Sequence, residues 1–361
     1  MTLYEKIAVL GPSAQYDTCG PKDFGQTTAI PGVYHAKVGG SHICRLFKVL
    51  QTNLCRHNCR YCAFRRDRDV RRATASPDEM ARAFDSAWSR RLVEGLFLSS
   101  GIAGTPDQTM DRLIATAAIL RNQYHYRGYL HLKVMPGASA AAISAAAELA
   151  SRLSLNIESP TPESLADLSP DKDLKKGFFY TLSVIKQQLQ KRRFAGKKIP
   201  SLTTQFVVGA GEETDRQIII QTHQLYKSFG LKRVFYSAFR PVPQTPLANR
   251  PAESVTREHR LYQADFLLRF YRWQPWDIPL GQDGRLSALK DPKMIWAESH
   301  PQYFPVNLNH ADYWQLLHVP GIGPRSAQKI LSCRRQSCIS SLTQLARQRF
   351  QIAKFSGFVS W

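Results

Sequence analysis

The sequence predicts an α/β fold built on a parallel sheet with crossover helices, followed by a small helical region. Three observations predict it. From residue 46 to about 272, short apolar runs alternate with stretches of helical spacing. Glycine and polar residues gather at the ends of those runs. Finally, two helical patterns joined by Pro320-Gly321-Ile322-Gly323 occupy residues 306–335.

Residues 1–45 read as a glycine-rich lead-in without a sustained period, expected to wrap over the later domain or its substrate. LFKVLQTN (46–53) is the first strand. Ser76-Pro77-Asp78-Glu79 is a capping box with proline at the first helical position. It opens a helix running to about Arg91. GLFLSS (95–100) is the second strand, and 107–124 the next helix. GYLHLKVM (128–135) is the third strand, and 139–152 an alanine-rich helix. SLNIES (154–159), TTQFVVGA (203–210) and KRVFYSAF (232–239) are strands four to six, with helices over 212–229 and 256–272. Such alternation means either a doubly wound sheet or a partly closed (β/α) barrel. Both put functional groups at the C-terminal ends of strands. Thr52-Asn53, Ser99-Ser100-Gly101, Asn156, Glu158, Gly209-Ala210-Gly211 and Ser237 lie there.

The chain has 361 residues, room for two or three domains. The expected division is a lead-in (1–45), a barrel core (46–275), a linker (276–305) and a C-terminal domain (306–361). With 49 Lys+Arg against 28 Asp+Glu, the net charge is +21, which points to a polyanionic partner. No run reaches the ~18 apolar residues of a membrane span. The start MTLYEKIAVLGPSAQYD lacks a signal-peptide pattern. A cytoplasmic protein without a membrane partner is expected.

Chemistry concentrates in Leu54–Phe64, LCRHNCRYCAF, where Cys55, Cys59 and Cys62 are spaced C-x3-C-x2-C. A four-iron cluster normally takes four cysteines. Three on one loop leave one iron open to another ligand. The rival is zinc with His57 as fourth ligand, although His57 is crowded between two cysteines. Purely structural thiols are a second rival. Cys19, Cys44, Cys333 and Cys338 form no second compact motif and read as isolated thiols.

Two basic tracts stand out. Arg65, Arg66, Arg68, Arg71 and Arg72 follow the cysteine loop. Residues 160–200 include KK at 175–176 and KRRFAGKK at 191–198, either a solvated face or a phosphate-contacting arm. Near the C-terminus, Asn309 is the expected N-cap of the first helix of the 306–335 pair. Glycines let the hairpin backbone approach a phosphate, and unsatisfied N–H groups at the start of the second helix point at the anion. From residue 307 onward there are seven Lys/Arg, including Arg325 and Lys329, against one acid, Asp312. Such a motif reads backbone rather than base sequence.

C-x3-C-x-aromatic-C, with Tyr61 the aromatic residue, resembles the signature of radical S-adenosylmethionine (SAM) enzymes, and the hairpin resembles a helix–hairpin–helix (HhH) DNA-binding motif. LFKVLQTNLCRHNCRYC, EGLFLSSGI, GYLHLKVMPGAS, RLSLNIESPT, TTQFVVGAGEETDR, KRVFYSAFRPVP, REHRLYQADFLLRFY and DPKMIWA resemble the radical SAM family associated with DNA modification or repair. The resemblance covers nearly the whole chain. It implies a partial (β/α)6 radical SAM barrel with a small all-α HhH domain. It also implies a 4Fe–4S cluster on Cys55, Cys59 and Cys62, with SAM chelating the fourth iron. Tyr61 would lie near the adenine, and Ser99, Ser100 and Gly101 would meet the methionine amino group. Asn156 and Glu158 would serve the ribose or sulfonium region, Val208 and Gly209 the adenine, and Ser237 and Phe239 the last strand's contacts. Gly321, Ile322, Gly323, Arg325 and Lys329 would bind nucleic acid.

The expected activity is reductive cleavage of SAM to a 5′-deoxyadenosyl radical, fed by a low-potential donor such as flavodoxin or ferredoxin and directed at DNA. A base inside a duplex is inaccessible, so single-stranded, damaged or flipped substrate is expected. Two departures matter. The family's usual Gly-Gly-Glu after strand two is Ser99-Ser100-Gly101 here, and the end RFQIAKFSGFVSW is short for a complete paired-helix HhH. The rival functions are a radical SAM enzyme on a small molecule and a non-enzymatic iron–sulfur DNA-binding protein.

Overall fold

A computed structural model describes residues 1–17, 30–37, 43–341, 344 and 355–361. Cys19, Arg347, Arg349 and Lys354 lie outside them. The chain divides into two compact units: residues 1–213 with 224–255, and residues 214–223 with 256–361.

In the first unit α1 (Leu3–Ser13) is followed by β1 (Val33–Lys37), β2 (Ile43–Leu50), α2 (Pro77–Ser89), β3 (Gly95–Ser99), α3 (Pro106–Asn122), β4 (Tyr129–Lys133) and α4 (Ala140–Leu149). Then come β5 (Arg152–Ser154), α5 (Pro162–Leu168), α6 (Tyr180–Phe194), β6 (Ser201–Val208) and β7 (Arg233–Ala238). Sheet order is β1-β2-β3-β4-β5-β6-β7, with β1 antiparallel to β2 and each later pair parallel. Strictly sequential order excludes a doubly wound sheet, whose order reverses at a switch point.

Local chemistry explains the elements. Ser76 caps α2 by accepting from Glu79 N–H, while Glu79 reaches back to Ser76 N–H; such a cap contributes about 1 kcal/mol. Its buried face is Met80, Ala81 and Phe84. α3 has the same device in Thr105 and Gln108, and buries Met110, Leu113, Ala117 and Leu120. β3 is buried at every position, as a strand covered on both faces must be.

The lead-in reading predicts neither α1 nor β1. A signal for α1 is present, since Thr2 and Glu5 form a capping box. Gly11 and Pro12 near its end break the helical appearance. β5 also departs from the expected 154–159. Its ladder stops at Ser154 and resumes where Glu158 N–H donates to Gln205 O (3.0 Å) and Val207 N–H donates to Glu158 O (2.8 Å). The excursion puts Glu158 at φ +67°, a left-handed conformation costing a non-glycine residue roughly 1–2 kcal/mol.

The second unit holds the start of α7 (Asp215–Phe229) and most of α8 (Val255–Phe270), then α9 (Pro292–Ser299), α10 (Tyr313–His318) and α11 (Pro324–Gln336). β8 (Val306–Asn307) pairs in parallel with β9 (Val359–Ser360), so the C-terminal region is not wholly helical as expected. Buried Asp215 accepts from Arg257 Nε (2.8 Å) and Leu286 N–H (2.7 Å). Asp312, not Asn309, caps α10. Asn309 instead joins Ile339 through both its amide groups, each at 2.9 Å. No helix among the described residues is long and apolar enough to cross a membrane.

Candidate active site at the strand ends of the sheet

The cysteine loop leaves β2 and is tied to its neighbours by backbone bonds. Gly101 N–H donates to Thr52 O (2.8 Å) and Arg56 N–H to Ile102 O (2.8 Å), joining the loop to the end of β3. A Cβ on Gly101 would collide with the Leu54 carbonyl, so this position requires glycine. Arg60 N–H donates to Leu168 O (2.8 Å) at the end of α5.

The basic stretch after the loop works inward. The Arg72 guanidinium donates to the carbonyls of Asn53 (2.7 Å), Phe64 (3.0 Å), Arg65 (2.7 Å) and Arg68 (2.9 Å). Arg68 donates to Ala63 O (2.8 Å) and Pro243 O (3.0 Å). These two arginines clamp the loop. Thr52 and Asn53 are likewise committed to the 71–74 backbone.

Cys55, Cys59 and Cys62 line a cavity of about 690 Å³ within the first unit. It also takes in Tyr61, Ser99, Ser100, Gly101, Asn156, Glu158, Ser237 and Phe239. Val208 and Gly209 are not on its wall. Val208 is fully buried, and the neighbouring Val207 lines the cavity instead, the strand's period of two being off by one residue. Gly209 N–H is bound to Glu213 (2.6 Å) in the turn after β6. His57 lies on the wall too, with its Nδ1 2.9 Å from Asp171 Oδ2.

Polar wall residues that escaped the sequence reading include Asp17, Lys133, Lys172 and Gln205. Lys172 Nζ donates to both Glu158 oxygens, at 2.9 and 3.1 Å, with both side chains almost buried. Burial pushes the Glu158 carboxyl up, but Lys172 and the Tyr61 hydroxyl outweigh it and hold Glu158 below its ordinary value. Burial pushes Lys172 down, but Cys59 and Glu158 outweigh it and raise the ammonium. Burial, joined by Glu158, Cys59 and Cys62, raises the Tyr61 phenol. Across the cavity Lys133 Nζ lies 2.6 Å from Asp17, and Asn156 donates to the same carboxylate at 3.3 Å. On the wall, Tyr61, Val207 and Phe239 form a small apolar seat backed by the buried Leu168 and Ala210.

These residues fit a 4Fe–4S cluster. Three soft donors share one wall, the glycine at 101 lets their loop approach the sheet, and buried cations compensate thiolate charge. Burial, then the Cys59 charge, pushes the metal-free Cys62 thiol up to about 12. Iron binding must displace that proton.

The cavity at the strand ends of the sheet thus brings three thiols onto one wall. Residues 49–220, just under half of the chain, match the family model described as the Radical SAM superfamily. The superfamily uses a 4Fe–4S cluster and S-adenosylmethionine. No curated protein matches the sequence. Solved structures similar to the chain include the FeFe-hydrogenase maturase HydG from Carboxydothermus hydrogenoformans, at 18% identity and TM-score 0.49, covering 61% of this chain and 50% of that one. Methylornithine synthase (PylB) is similar at 14% identity and TM-score 0.47, covering 61% and 60%. A radical SAM methyltransferase from Sphaerobacter thermophilus follows at 15% and 0.46, covering 66% and 72%. The chain spans about half the length of the hydrogenase maturases.

In the second unit, α10 and α11 are joined by Val319–Gly323. Gly321 is exposed at φ +80°, and Ile322 N–H donates to Val319 O (3.1 Å). No side chain caps α11. Arg325 and Lys329 are exposed one turn apart. Ile322 is buried, an anchor rather than a contact surface, and its carbonyl accepts from Lys293 Nζ (2.5 Å). Arg334 is spent on Leu308 O and Ala311 O.

Burial lowers Lys293 from 10.5 to about 7, against the pull of Asp291. The unfolded chain therefore binds the extra proton between about pH 7 and 10.5, and stability rises with pH across that window. Urea unfolding followed by tryptophan fluorescence should show about 2 kcal/mol more stability at pH 9 than at pH 7 from this group. Lys293→Met should remove that increment. An unchanged pH profile in the variant would show that Lys293 does not carry it.

Proposed function

We propose that the chain binds a 4Fe–4S cluster through Cys55, Cys59 and Cys62, holds SAM in the same cavity, and acts on DNA bound by the Val319–Gly323 hairpin. The observation that carries the reading is the convergence of the three thiols, the Lys172–Glu158 pair and the Tyr61–Val207–Phe239 seat on one cavity. A cluster held by these three thiols would supply the one-electron reduction that cleaves SAM to methionine and a 5′-deoxyadenosyl radical able to abstract hydrogen. The chain's own residues bind and orient. Tyr61, Val207 and Phe239 offer the adenine an apolar face. Ser100 and the carbonyls at the end of β3 serve the methionine amino group in place of a carboxylate. Lys172, fixed by Glu158, offers positive charge to the methionine carboxylate. A low-potential donor such as flavodoxin or ferredoxin supplies the electron.

The DNA reading rests on the exposed Gly321 turn, the uncapped start of α11, and Arg325 and Lys329 beside it. Helix N–H groups without partners favour phosphate. Neutralising ~2–4 phosphates predicts a log–log salt slope of roughly −2 to −4 for duplex DNA. Arg325→Ala/Lys329→Ala should flatten it by about two units. An unaltered slope would remove the hairpin from DNA binding and leave a small-molecule substrate as the better reading.

A further inference from the structure

The second unit contains a cavity of about 320 Å³ that the radical chemistry does not use. Small-molecule sites run from roughly 300 to 1,000 Å³, so this one suits a single small ring system. Phe266 and Tyr271 stand edge to face in its wall, 5.9 Å between centroids, and Phe266 is 43% exposed. Lys293 shares the wall and lies 4.8 Å above the Tyr271 ring. Gln263 also lines it; Arg260 donates to its Oε1 (2.8 Å), which leaves the amide N–H groups as donors.

The same side chains touch the hairpin. Lys293 Nζ donates to Ile322 O, and the Tyr271 hydroxyl lies against Gly323, 3.4 Å from where a Cβ would stand. One wall therefore separates the cavity from the turn assigned above to phosphate. Aromatic faces beside a phosphate-contacting element are how proteins hold single-stranded nucleic acid, since every base has a face to stack.

We propose that this cavity is a nucleobase subsite, taking one unpaired base of the strand whose backbone meets the hairpin, stacked on the exposed Phe266 with Tyr271, Gln263 and Lys293 around its edge. The proposal rests on the DNA-binding reading of the hairpin. It adds a preference for single strands, because a paired base cannot leave its stack without cost.

The test compares a fluorescein-labelled single-stranded thymidine oligomer with a duplex of the same length, by anisotropy at one salt concentration, on the full chain. The parent should prefer the single strand. Phe266→Ala should weaken single-strand binding about tenfold or more and leave duplex binding unchanged. Phe266→Trp should restore it. Equal affinity of Phe266→Ala and parent for the single strand overturns the subsite. So does a loss on both oligomers that tryptophan fails to restore, which would mark Phe266 as a packing residue. If Arg325→Ala/Lys329→Ala changes nothing while Phe266→Ala loses the single strand, the subsite stands and the hairpin reading fails. If the parent binds neither oligomer, both fall.

Discussion

Cys59→Ala is expected to eliminate the cluster and SAM cleavage together. Cys59 is the buried member of the three thiols, and its charge is among those that hold the Lys172 ammonium. Anaerobically reconstituted parent protein should hold about four irons per chain. In the variant only two thiolates remain, and with them an iron is lost from the cubane's anchorage. Iron and sulfide content, with 5′-deoxyadenosine measured under reducing conditions, checks both losses. Stoichiometric zinc in parent protein purified without oxygen would contradict the cluster assignment.

The second large effect concerns Lys172 and Glu158. Their side chains are only 10% and 12% exposed, and the ion pair is bidentate. Breaking a buried pair strands the remaining charge and costs about 3–5 kcal/mol, whereas replacing both partners costs far less. Lys172→Met should therefore destabilise the first unit by that order, and Glu158→Gln in addition should recover much of it. Urea denaturation of the two single variants and the double variant gives the cycle. SAM affinity by equilibrium dialysis should stay low in the double variant, because the positive charge is missing even where the fold is restored. Additive single-variant losses would show that the pair is not a unit, and parent-like SAM affinity would remove Lys172 from the cofactor site.

The strands and the cysteine loop were legible because they are local. Ser76 and Glu79 announce α2 within four residues, and C-x3-C-x2-C is complete within eight. The rest of the wall depends on long-range meetings. Asp17 meets Lys133 across 116 residues of chain and Asn156 across 139, and no spacing in the sequence marks that encounter. Lys172 sat within a basic tract that read as solvated or phosphate-binding, yet the fold turns it into the cavity against Glu158. The left-handed backbone at Glu158 is a third case, since nothing in LNIESP signals a positive φ on a glutamate. Strained residues of this kind persist where surrounding structure holds them and often mark functional sites. In β6 the pattern was right and the phase was not: Val207 faces the cavity where Val208 was expected. Charge was legible as a total but not in its uses, for Arg72 and Arg334 are absorbed by backbone carbonyls.

The most direct test of the whole account is label transfer. DNA deuterated at its sugar and base carbons, incubated with the reduced, reconstituted enzyme and SAM, should yield 5′-deoxyadenosine carrying deuterium, and none should form with Cys59→Ala. Unlabelled 5′-deoxyadenosine, formed at the same rate with and without DNA, would contradict the claim that DNA is the substrate of this cavity.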